Sequence, residues 1–103
     1  MGRPYSDKFL RELADADETN LGVRLAKVCV EANLPTAYVA QALETTRLSV
    51  SYWFRGRQIR AKKHPAILAF MSLVREDIAN GRLPAKSTAD AKLYISEMIG
   101  IQL

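Results

Sequence analysis

Arg47, Arg55, Arg57, Arg60, Lys62 and Lys63 all fall within residues 47–63, a stretch with no acid. Elsewhere charge is balanced or acidic. Residues 1–20 hold five acids (Asp7, Glu12, Asp15, Asp17, Glu18) against three bases, and residues 64–103 hold four of each. The net charge of +4 therefore comes from one block. Clustered cations attract phosphate, and the block has the electrostatic footprint of phosphate binding. A solvated surface run would look the same by charge alone, so the decision rests on the spacing of its neighbours.

Other chemistry has little to stand on. Cys29 is the one cysteine and His64 the one histidine, so an internal disulfide, a Cys- or His-built metal site and a Ser-His-Asp triad are not expected. Cys29 lies within an apolar stripe and reads as a small buried hydrophobe. His64 precedes Pro65 and reads as a helix cap. The acids of residues 7–18 lack the ordered ligand spacing and turn glycine of a calcium loop. No nucleophile–base pair emerges, and no cofactor, metal or small-molecule ligand is implied. The chain reads as a binding module rather than an enzyme.

The 103 residues are 49% hydrophobic and 25% charged, the balance of a soluble globular domain. No apolar run is long enough to span a membrane. The first seven residues lack the apolar stretch of a secretory leader, so a cytoplasmic location is expected.

Positioning the basic block falls to helices. No segment alternates with the period of a strand, and the expected class is all-α: a compact domain of five to six helices. Residues 7–14 form a short helix with Phe9, Leu10 and Leu13 on one face, followed by an acidic loop. Leu21, Leu25, Val28 and Ala32 recur at helical spacing, and this helix stops before Leu34-Pro35. Pro35 opens a third helix, with Val39, Ala40 and Leu43 inward. Thr46 caps a fourth, residues 47–55, which Gly56 stops. A basic loop spans 57–63. His64-Pro65 begins a long helix whose inner positions are Ile67, Met71, Val74 and Ile78, widened by Leu68, Phe70 and Leu73, and Asn80-Gly81 ends it. Pro84 lies in a linker, and Ser87-x-x-Asp90 resembles a capping box for a last helix over 88–99. The chain is expected to be one domain, 1–103, with its core at 21–80, an N-terminal segment 1–20 and a C-terminal helix within 87–100.

Residues 34–56 place two short helices around a tight connector. Val39, Ala40, Leu43, Val50 and Trp53 should form their shared core, Ala40 being small enough to let the helices approach. Spacing from Val50 assigns Trp53 to the core rather than to a stacking platform for a base. Arg47, Leu48, Ser49, Ser51, Tyr52 and Arg55 then point outward. Cations, hydroxyls and an aromatic ring, with no acid, suit the major groove of double-stranded DNA.

The run Val39-Ala40-x-x-Leu43-x-x-Thr46-Arg47-x-x-Val50-x-x-Trp53-x-Arg55-Gly56 resembles the helix-turn-helix of the Cro/C1, lambda-repressor-like family. Its usual pattern is Leu-Ala-x-x-Leu-Gly-Val-Ser-Arg-x-x-Ile-x-x-Trp-x-x-Gly. Val23-Arg24-Leu25 is similar to the family's first helix, and residues 67–78 to a later helix of its core. Two positions depart from the pattern. Glu44 stands where the turn usually has Gly, which opens the question of a differently shaped turn. Thr36 stands where many members have a phosphate-contacting Gln, a role its hydroxyl can also fill. Ser51-Tyr52-Trp53-Phe54-Arg55-Gly56-Arg57 also resembles the Trp-Phe-x-Asn-Arg-Arg run of homeodomains, but Gly56 falls where that family has its adenine-reading Asn.

Either resemblance implies a DNA-binding module, and the first implies a small bacterial or bacteriophage transcriptional regulator. The residues expected at DNA are Thr36, Thr46, Arg47, Leu48, Ser49, Ser51, Tyr52, Arg55, Arg57, Arg60, Lys62 and Lys63. The rival is a protein-interaction adaptor on the same fold, docking for example on RNA polymerase or another regulator. The apolar tail (Leu93, Ile95, Met98, Ile99, Ile101, Leu103) either packs back on the domain or serves as a homodimer contact.

Overall fold

The computed structural model describes residues 4–103. It is all-α, 65% helical, with no strand among the described residues. Six helices follow in order: α1 (Asp7–Ala14), α2 (Leu21–Glu31), α3 (Thr36–Ala42), α4 (Arg47–Phe54), α5 (His64–Ala79) and α6 (Thr88–Ile99), with a 3₁₀ turn at Ala61–Lys63. No helix among the described residues is long and apolar enough to cross a membrane.

Local chemistry explains where these helices begin and end. Ser6, Asn20, Thr46 and Ser87 each accept a hydrogen bond from the backbone N–H three residues on, which satisfies an otherwise orphaned donor. Pro35 is the extended residue before α3 rather than its first helical one. Asp90 accepts from the Lys86 N–H at 2.8 Å, one residue earlier than a capping box requires. Helices α2, α3 and α4 share one ending: the second residue past the helix turns left-handed, and the N–H after it reaches back to the last turn. The bonds are Leu34 N–H to the Cys29 carbonyl, Thr45 N–H to Ala40, and Arg57 N–H to Tyr52, at 2.9–3.0 Å. The left-handed residues are Asn33 (φ 59°), Glu44 (φ 54°) and Gly56 (φ 99°).

α2 is the centre of the fold and touches α1, α4 and α5, while α3 lies between α4 and α6. Leu25, Cys29, Leu34, Val39, Val50, Ile67, Met71, Val74 and Ile95 are fully buried and join all the helices except α1. α1 adds Leu13 to this core and brings Phe9 against it. No buried polar side-chain atom lacks a partner among the described residues. α5 departs from its expected pattern: Ile67, Phe70, Met71 and Val74 are buried, but Leu68 and Leu73 are exposed. They lie beyond the inner stripe, on a side of α5 that no element covers among the described residues.

The linker after α5 is pinned rather than loose. Ala85 N–H donates to the Ala32 carbonyl at 2.9 Å, and Asn33 Nδ2 donates to the Ala85 carbonyl at 2.8 Å. Tyr94 donates its hydroxyl to Asp77 Oδ2 at 2.5 Å, and Arg82 pairs with Glu97. Burial, then the Asp77 bond and charge, push the Tyr94 hydroxyl above its ordinary pKa, against a smaller opposing effect of Arg82. α6 packs against α3 and buries Ala91, Tyr94 and Ile95, with Met98, Ile99 and Leu103 partly buried against the core. The tail thus folds back on the domain, while Leu93 and Ile101 stay exposed.

Candidate nucleic-acid interface

α4 is eight residues long, and its two sides have opposite characters. Val50, Trp53 and Phe54 are buried. Leu48, Ser51, Tyr52 and Arg55 follow at i, i+3, i+4 and i+7, the spacing of one helical stripe. Leu48 is 62% exposed, Tyr52 is 40% exposed, and Arg55 and Arg47 are exposed beside them. The register expected from Val50 and Trp53 is the one observed. Phe54, given no inward role by the sequence reading, is also buried.

The inner side is seated by close contact. Gly22 of α2 lies against the backbone of Trp53, where an added Cβ would stand 2.0 Å from the Trp53 carbonyl oxygen. α2 and α4 approach closely here, a contact the sequence reading did not foresee. Ala40 is buried, as expected. Asn20 closes the far end. Its Oδ1 accepts from the Val23 N–H at 3.1 Å, and its Nδ2 donates to the Gly56 carbonyl at 2.8 Å. One side chain therefore caps the start of α2 and ties down the end of α4.

Thr46 caps α4: its Oγ1 accepts from the Ser49 N–H at 3.0 Å. The Thr46 hydroxyl also donates to Ser49 Oγ at 3.0 Å, so these two hydroxyls are engaged with each other. Ser49 and Ser51 are both half-buried, less outward than their sequence positions promised. The turn between α3 and α4 keeps the left-handed residue that a glycine would supply; Glu44 adopts it. The bond from Thr45 N–H to the Ala40 carbonyl stabilises that geometry.

The basic loop expected over 57–63 runs without regular structure to the 3₁₀ turn at Ala61–Lys63 and is anchored to the domain. Ile59 is buried between its cations. His64 Nε2 donates to the Ile59 carbonyl at 2.9 Å, so the ring pins the segment and caps no helix. Arg57 carries its guanidinium 4.2 Å from the centre of the Tyr52 ring, a cation–π contact linking segment and helix. Arg57, Arg60 and Lys62 are exposed and Lys63 half-buried. None of the six bases of residues 47–63 joins an ion pair among the described residues; the pairs are Lys27–Glu18 and Arg82–Glu97.

Thr36, at the start of α3, is half-buried and shares a cavity of about 130 Å³ with Ser51, Phe54 and Arg55. The N-terminal segment forms the other wall. Tyr5, Phe9 and Phe54 cluster with ring centres 5.6–6.3 Å apart, and Tyr5 donates its hydroxyl to the Leu34 carbonyl. Burial first, then neighbouring Cys29, raises the Tyr5 hydroxyl above its ordinary pKa. The sequence reading saw α1 but not this aromatic clasp, because the partners are far apart in the chain. Ile59 did carry a signal: a lone aliphatic residue in a cationic run is an anchor.

Burial also raises the Cys29 thiol well above the range of a reactive thiolate. Among the described residues no group of three or more His, Cys, Asp or Glu could hold a metal ion. α4 stops at Phe54 and Gly56 turns the chain, so the long uninterrupted helix that the homeodomain resemblance requires is not formed. Comparison with protein-family models, curated proteins and solved structures finds no match.

Proposed function

We propose that this chain binds double-stranded DNA, with the outer side of α4 in the major groove and the basic segment against the backbone, and that it acts as a small transcriptional regulator. One observation carries the reading: a short, firmly seated helix exposes Arg47, Leu48 and Tyr52, and the six bases on and beside it join no ion pair among the described residues. Arg47, Leu48, Ser51 and Tyr52 are the base-facing set. Arg55, Arg57, Arg60, Lys62 and Lys63 neutralise phosphates, and Thr36 offers a hydroxyl to the backbone. Thr46 and Ser49 shape the first turn, a narrower role than direct contact. The resemblance to the Cro/C1 family supports the same assignment.

A salt titration of binding to random duplex tests this. Four to six phosphate contacts imply a log–log slope of about −4 to −5, from roughly 0.9 per phosphate. A flat response removes the DNA-binding reading. The second reading, a protein adaptor, draws on exposed Leu93 and Ile101 at the end of α6. The same surface is the proposed homodimer contact, and two modules on two half-sites would multiply specificity. Sedimentation with and without duplex separates the two readings.

A further inference from the structure

Within the base-facing set, Leu48 is the exceptional group. It lies in the first turn of α4 and is 62% exposed, although its neighbours are cations and hydroxyls. The groups around it are largely committed. Ser49 accepts from Thr46, and the Tyr52 ring carries the Arg57 guanidinium. Leu48 has no hydrogen-bonding atom, so it can discriminate between bases only by apolar contact. The major groove offers one native apolar feature, the C5-methyl of thymine; the other base edges present donors and acceptors. A leucine against a donor or acceptor edge would strip water from it and return no bond.

We infer that Leu48 reads the C5-methyl of a thymine, making it a specificity-determining residue for A·T at one position of the target. The inference rests on the DNA-binding reading and names what that surface selects. Tyr52, one turn further along the stripe, extends the apolar contact, while Arg47 provides the polar one.

The test begins with selection of duplexes from a random pool by the whole chain. Each thymine of the selected site is then replaced singly by deoxyuridine, which removes only the methyl. One such replacement per module should weaken binding about three- to fivefold, the effect of exposing one buried methyl. In Leu48→Ala the same replacement should have no effect, and that variant should bind the thymine site about as weakly as the intact chain binds the uracil site. Leu48 is exposed, so the variant should keep its helical signal and its salt slope on random duplex. The inference is overturned if no thymine position is enriched, if no single uracil matters, or if uracil sensitivity persists in Leu48→Ala. Each of those results, with salt-dependent duplex binding intact, leaves the DNA-binding reading standing. Absence of duplex binding overturns both.

Discussion

The two sides of α4 belong to one short helix and obey different rules. Inside, Val50, Trp53 and Phe54 are buried, and the Trp53 backbone meets α2 so closely that Gly22 has no room for a methyl. Outside, Leu48, Tyr52 and Arg55 are exposed, Tyr52 carries the Arg57 guanidinium, and Ser51 is half-buried at the edge. The inner side answers to volume and backbone geometry, the outer to charge and donor pattern. A rigid inner side is what makes the outer side useful, because a recognition surface gains specificity only if its groups are held in register. Substitutions on the two sides should therefore fail differently: inner ones in stability, outer ones in binding alone.

The largest effect should come from Trp53→Ala, at about 3–5 kcal/mol of stability, a large share of what a domain of this size has. Urea denaturation measures it, and DNA binding should fall with the helical signal. A variant that stays fully folded yet no longer binds would place Trp53 on the outer side and break the division. Gly22→Ala comes next. Alanine favours helix over glycine by about 1 kcal/mol, but the clash with Trp53 should reverse that gain and leave a net loss of about 1–3 kcal/mol. A neutral or stabilised variant would mean that α2 and α4 are further apart than described.

On the outer side, Arg47→Ala should cost about 1–3 kcal/mol on the selected site and much less on random duplex, because its guanidinium can pair with guanine O6 and N7. Lys62→Ala should weaken both alike and flatten the salt slope by about one unit; half-buried Lys63 should follow with less. A competition assay on these variants sharpens the comparison. Equal losses for Arg47→Ala on both DNAs would pass the reading role to Leu48 and Tyr52.

Alkaline pH probes the interior. Cys29, Tyr5 and Tyr94 all have raised pKa values when folded. Folding then holds protons that the unfolded chain releases above about pH 8.5 for the thiol and about pH 10 for the phenols. Their stabilisation is complete below those values and declines as pH rises through them, by at most about 1.4 kcal/mol per pH unit for each group. Thermal melts from pH 7 to 11 should show the decline beginning with the thiol, and Cys29→Ala should delay its onset. The smallest effect expected is at Glu44→Gly. Relief of the left-handed strain is worth about 1–2 kcal/mol, but glycine's added freedom in the unfolded chain takes back about half of it. The net gain should be under about 1 kcal/mol in urea, with binding unchanged.

Helix positions were largely legible because capping and periodicity are local. Ser6, Thr46 and Ser87 bond N–H groups only three residues away, and the apolar stripes of α2, α4 and α5 repeat every turn. Gly56 was readable as a stop because glycine advertises a left-handed residue. Glu44 was not, since nothing in a glutamate signals that conformation; the bond from Thr45 to Ala40 imposes it. Leu68 and Leu73 looked like core by composition and proved exposed, because the width of a buried face depends on what covers it.

For the candidate site, sequence alone determined the register of α4 and the concentration of cations beside it. Both are properties of neighbouring residues: 3.6 residues per turn divides α4 into inner and outer sides, and charge is counted along the chain. Tertiary structure decided the rest. It set Gly22 against Trp53, joined Asn20 to Gly56, closed Tyr5 and Phe9 over Phe54, and anchored the basic segment through Ile59 and His64. Most of these contacts pair residues that are distant along the chain. They form only where the chain brings such residues together, and no local pattern encodes which distant partner will arrive.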